Sequence, residues 1–67
     1  MDIKKKFGEK VKQLRVEKGW SQERLALTAD LDRTYIPSIE AGKRNVSITV
    51  IEKIAKALDI KIVNLFQ

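Results

Sequence analysis

An all-α fold of short helices joined by tight turns is what this sequence predicts, and three observations carry the prediction. Apolar residues recur every three or four positions along most of the chain. No stretch alternates in the manner of a strand, and the three glycines fall between or near the periodic segments. At 67 residues the chain reads as one domain, 1–67, near the lower limit for folding on a single core. Such a chain buries only about 60% of the surface it exposes when unfolded, so something must supplement the core. With no cysteine there is neither a disulfide nor a thiolate metal site, which leaves self-association as the supplement to expect.

The first helix is predicted over 3–17. Asp2 supplies an N-cap, Ile3, Phe7, Val11 and Leu14 fall on one face, and Gly19 supplies the left-handed residue that ends it. Lys4, Lys5 and Lys6 lie in its first turn, where the helix dipole favours negative charge; they form either a solvated cluster or a phosphate-facing surface. The second helix covers 22–29 with Ser21 as N-cap. Trp20 and Leu25 occupy the positions of a hydrophobic staple, and Leu25, Ala26 and Ala29 form the inward face. Glu23 comes one place too early for a capping box and acts through the dipole alone. Asp30 and Leu31 make the turn, Asp30 in a left-handed conformation, and Asp32 caps the third helix. Three residues between helices is the spacing of a helix-turn-helix, here about 21–41.

The third helix carries an anomaly. With Ile36 and Ile39 turned inward at about 100° per residue, Thr34, Pro37, Ser38 and Ala41 share the outward half. Arg33 lies at one edge and Tyr35 at the other. A helix facing only water would carry Glu and Lys there; short groups flanked by longer polar ones suit insertion into a groove about 12 Å wide. Pro37, counted as the fifth helical residue, lacks the N–H that would bond the Arg33 carbonyl. Either the helix starts later or its first turn is distorted.

The fourth helix is predicted over 48–58, capped by Ser47, with Ile48, Ile51, Ile54, Ala55 and Leu58 facing in. A fifth short helix, "KIVNLF", is apolar nearly all round. Ile62, Val63, Leu65 and Phe66 cannot all bury against one small core, and Val50 falls outside the inward stripe. Apolar surface left over in this way marks an interface, so segments 48–67 are expected to form a homodimer through Val50, Ile62, Val63, Leu65 and Phe66.

Composition narrows the function. A net charge of +5 on so short a chain points to an anionic partner, with nucleic acid foremost. There is no histidine for acid–base work and little volume for a pocket, so no enzyme, metal or cofactor is expected. No apolar run follows the N-terminal lysines and no stretch reaches bilayer-spanning length, so a cytoplasmic protein without membrane attachment is expected.

The stretch "SQERLALTADLDRTYIPSIEAGKRNVS", continued by "ITVIEKIAKALDI" and "KIVNLF", resembles the lambda-repressor/Cro-like helix-turn-helix family over nearly the whole chain. Ser21-Gln22, Leu25-Ala26, Arg33 to Ile36, Ile39-Glu40, Gly42, Arg44-Asn45 and Ala55 to Leu58 fall in register. "DRTYIPSIEAGKRNVS" is most like the controller proteins of restriction-modification systems. The resemblance implies a five-helix lambda-repressor-like domain that regulates transcription as a dimer on a palindromic operator in double-stranded DNA, with RNA polymerase as a candidate further partner. It implies that Gln22 meets a phosphate and that Arg33, Thr34, Tyr35 and Ser38 approach the bases. Tyr35 has an alternative role, packing beside Ile39 with its hydroxyl on a phosphate. Lys43, Arg44 and Asn45 would grip the backbone or reach a further base step, and Glu40 would pair with Arg15 as a structural bridge. Asp30 in place of the turn glycine and Pro37 in place of a small polar residue depart from the family pattern. A phage-type repressor or antitoxin-like regulator is the alternative of the same fold; a protein-interaction adaptor that does not bind DNA is the alternative of another class.

Overall fold

Capping side chains set where the helices begin. Asp2 Oδ1 accepts the backbone N–H groups of Lys4 and Lys5 at 3.0 and 3.4 Å, Ser21 Oγ accepts that of Arg24 at 3.0 Å, and Ser47 Oγ that of Val50 at 3.2 Å. Each bond satisfies an amide that the first turn would leave unpaired. The computed structural model describes residues 2–67 and contains α1 (Ile3–Glu17), α2 (Gln22–Thr28), α3 (Tyr35–Glu40) and α4 (Ile48–Ala57). A 3-10 segment, Ile62–Phe66, follows. The expected fifth helix is therefore a 3-10 turn, and no strand occurs among the described residues.

All four α-helices end the same way. The residue after each C-cap takes a left-handed conformation: Gly19 (φ 74°), Asp30 (φ 57°), Gly42 (φ 73°) and Asp59 (φ 57°). At α1, Gly19 N–H donates to Val16 C=O at 2.9 Å and Trp20 N–H to Arg15 C=O at 3.1 Å. The same paired bonds recur from Asp30 and Leu31, Gly42 and Lys43, and Asp59 and Ile60. This is the Schellman arrangement, which satisfies orphan carbonyls and reverses the chain within two residues. Asp serves at two of the four positions because its short polar side chain tolerates the left-handed region better than most.

The core gathers Phe7 and Val11 from α1, Leu25 and Ala26 from α2, Ile36 and Ile39 from α3, and Ile54, Ala55 and Leu58 from the α4 region. Leu65 completes it, 1% exposed. This corrects its expected outward position. Three residues per turn place Val63 and Phe66 on one shared face and turn Leu65 away from it. Ile48, expected inward, is 81% exposed because it lies at the edge of the stripe centred on Ile54 and Leu58. Ile3, the first residue of α1, is on the expected face but stays exposed at the rim of a hollow lined by Phe7, Ile51 and Phe66. Gly8 lies inside α1 rather than between segments. A Cβ there would run into the Ile39 carbonyl oxygen, so this glycine lets α1 and α3 touch backbone to backbone.

Candidate nucleic-acid interface

The turn between α2 and α3 is held by the Leu31 N–H on the Ala26 carbonyl, 2.9 Å, and by a clasp at Asp32. Asp32 Oδ1 accepts both the Thr34 N–H at 2.9 Å and the Thr34 hydroxyl at 2.7 Å. Those two bonds, backbone first, with the charges of Arg33 and Arg44, hold the Asp32 carboxyl below the usual carboxylate range. Asp32 therefore orders the approach to α3, but the helix begins at Tyr35, two residues later than a cap at Asp32 would place it. The later start removes the proline anomaly. Pro37 is the third helical residue, where an N–H would have no intrahelical acceptor anyway.

Outward from α3, Arg33, Thr34 and Pro37 are exposed and Ser38 is half-buried. With Gln22 and Glu23 at the start of α2 they line a shallow open depression. Glu23 and Pro37 were not among the expected site residues; their place follows from α2 meeting α3 at the turn. Behind the depression lies a polar network. Arg15 Nε and Nη2 donate to the two Glu40 carboxylate oxygens at 2.7 and 3.0 Å, and Nη1 donates to the Trp20 carbonyl at 2.6 Å. The side chains of this pair are 11% and 4% exposed. The bidentate bond raises the Arg15 pKa further above its ordinary value. Gln22 Nε2 joins the network by donating to Glu40 Oε1 at 3.1 Å. One amide hydrogen of Gln22 is thereby committed inward, which its position at a helix start did not reveal.

Tyr35 is half-buried and packs against the core. The Arg44 guanidinium lies 4.2 Å from the centroid of its ring, and Arg44 Nε donates to Ser38 Oγ at 2.8 Å. Lys43 and Asn45 are exposed beside Arg44. Gly42 is packed on α1: a Cβ there would lie 2.6 Å from Lys5 Cγ. Lys4 lines one hollow with Arg44 and Asn45. The first turn of α1 and the loop after α3 thus form one basic edge. At the other end of the chain, Ile62 (43%), Val63 (54%) and Phe66 (39%) are exposed together, with Val50 half-buried. Phe66 stacks on Phe7 at 5.3 Å. No cluster of three potential metal ligands occurs among the described residues, and no helix there is long and apolar enough to cross a membrane.

The helix-turn-helix family model matches residues 11–65. The control protein C.MunI of Mycoplasma sp is 56% identical over 66 residues, spanning 97% of this chain and 89% of that one. Among solved structures, the restriction-modification controller protein C.AhdI from Aeromonas hydrophila superposes with a TM-score of 0.92 at 49% identity, over 94% of this chain and 96% of its own. The controller protein C.Esp1396I, solved as a tetramer in complex with its natural 35-base-pair operator, gives a TM-score of 0.89 at 41% identity, over 98% and 87%.

Proposed function

Because the chain belongs to the helix-turn-helix family and is similar to restriction-modification controller proteins over nearly its whole length, we propose that it is a sequence-specific DNA-binding regulator of transcription that acts as a homodimer. The observation that carries this is the outward side of α3: Thr34, Pro37 and Ser38 give it a low profile, and Arg33 and Arg44 flank it. A helix of that shape enters the major groove, and Arg is the side chain best matched to a guanine edge. The Thr34 methyl suits thymine, while Gln22, Lys43 and Asn45 lie where phosphates of the flanking backbone would pass.

A single 67-residue protomer offers a small footprint, and a second copy doubles it. The exposed Ile62, Val63 and Phe66, with the half-buried Val50, would meet their own copy across a two-fold axis. Two copies of α3 about 34 Å apart then face successive major grooves of a palindromic operator. The regulated genes would be its own and that of a linked endonuclease, in the cytoplasm, with RNA polymerase the machinery whose access or recruitment the bound dimer alters.

Selection from a random-sequence duplex pool tests the reading. Enrichment of an inverted repeat, bound with an affinity that falls steeply with salt as counterions are released, is the expected outcome. Equal affinity for every duplex in the pool contradicts it.

A further inference from the structure

A serine hydroxyl has one hydrogen and two lone pairs, and the surroundings of Ser38 use most of them. Its hydrogen points back along the helix to the carbonyls of Tyr35 and Thr34, 3.0 and 3.2 Å away. A lone pair accepts Arg44 Nε–H at 2.8 Å. Ser38 therefore has no hydrogen left to offer a base. One face of the Tyr35 ring is covered by the Arg44 guanidinium.

Arg44 is brought to this place by the end of α3. Gly42 N–H on Ile39 C=O and Lys43 N–H on Ser38 C=O, both 3.0 Å, reverse the chain so that residue 44 lies back over the helix it has just left. The guanidinium is then gripped on one edge by Ser38 and on one face by Tyr35. Its four Nη hydrogens make no hydrogen bond among the described residues, and they form the fork that grips a guanine edge or a phosphate in two places.

We propose that Ser38 and Tyr35 are positioning residues, a seat that pre-orients Arg44, and that Arg44 is the residue of this group that touches DNA. This rests on the DNA-binding reading above and reassigns two residues that the family resemblance placed at the bases. A long flexible side chain held before binding loses less freedom on binding, so the seat contributes affinity without touching the nucleic acid.

The test uses the duplex that the wild-type chain enriches from a random pool, with binding of S38A, R44A, S38A/R44A, S38T and Y35F followed by anisotropy. S38A is expected to weaken binding about five-fold and R44A at least ten-fold. The double variant should bind no more weakly than R44A alone, because Ser38 acts through Arg44. S38T, which keeps the hydroxyl, should restore wild-type affinity, and Y35F, which keeps the ring, should stay within about two-fold. Thermal melts of the free variants should be unchanged. Additive losses for S38A and R44A, or a loss in Y35F matching that of R44A, overturn the seat. A wild type that enriches no duplex refutes the DNA-binding reading instead.

Discussion

Around α3 the polar side chains are tied to one another within the chain, whereas the outer side of α4 and of Ile62–Phe66 leaves apolar surface open to solvent. At the first end Asp32 clasps Thr34, Glu40 joins Arg15 to Gln22, and Ser38 holds Arg44. At the second, Ile48, Ile62, Val63 and Phe66 remain exposed. The difference separates two ways of preparing a surface. Polar groups meant for a charged partner are oriented beforehand, because each loose side chain would lose freedom on binding. Apolar groups need no orientation, since burial is non-directional, and simply await a matching surface.

Four changes break or sharpen the contrast. The largest effect is expected from Arg15→Ala, which strands the Glu40 carboxylate, 4% exposed, without its partner. A buried pair broken from one side costs about 3–5 kcal/mol, and each kcal/mol moves the midpoint of so small a domain by about 4–8 °C. Thermal melts should show most of the stability gone. Gly8→Ala comes next. Its methyl group meets the Ile39 carbonyl oxygen and must push α3 off α1, a strain of about 1–3 kcal/mol, read by the same melts.

Val63→Asp probes the other end. Val63 is 54% exposed, so monomer stability should stay within about 0.5 kcal/mol. Self-association followed by sedimentation should weaken at least ten-fold, equivalent to about 1.4 kcal/mol. The smallest effect belongs to pH. Asp32 is held below its unfolded value of about 3.9 by the bonds from Thr34, so its contribution is complete above that value. It is lost as pH falls through the lower folded value. Melts of the wild type and Asp32→Asn between pH 5 and pH 2 should differ in slope in that direction only, with Asp32→Asn the flatter.

Local signals made much of this structure legible from the chain alone. Asp2, Ser21 and Ser47 act as caps where their side-chain chemistry predicts, and Gly19 and Asp30 turn left-handed as expected. Signals that need a partner element failed. Periodicity put Ile3 and Ile48 on plausible faces but could not say how much of each the rest of the chain would cover. Leu65 was grouped with its neighbours because four apolar residues in one short segment could not all be buried, and composition alone could not say which one would enter the core. A cap at Asp32 was chemically reasonable, yet its bonds form a turn and α3 starts two residues on, which also resolves Pro37. The link from Ser38 to Arg44 was invisible for a different reason. It depends on how tightly the chain reverses at Gly42, and six residues of separation carry no periodic signature.

Spacing offers the most direct measurement. With the enriched inverted repeat in hand, five base pairs inserted between its half-sites rotate one half-site to the opposite side of the duplex. Two α3 helices held at one helical turn on a rigid dimer predict that affinity falls to that of a single half-site, and that ten inserted base pairs do not restore it. Unchanged affinity after the five-base-pair insertion would contradict the dimeric reader.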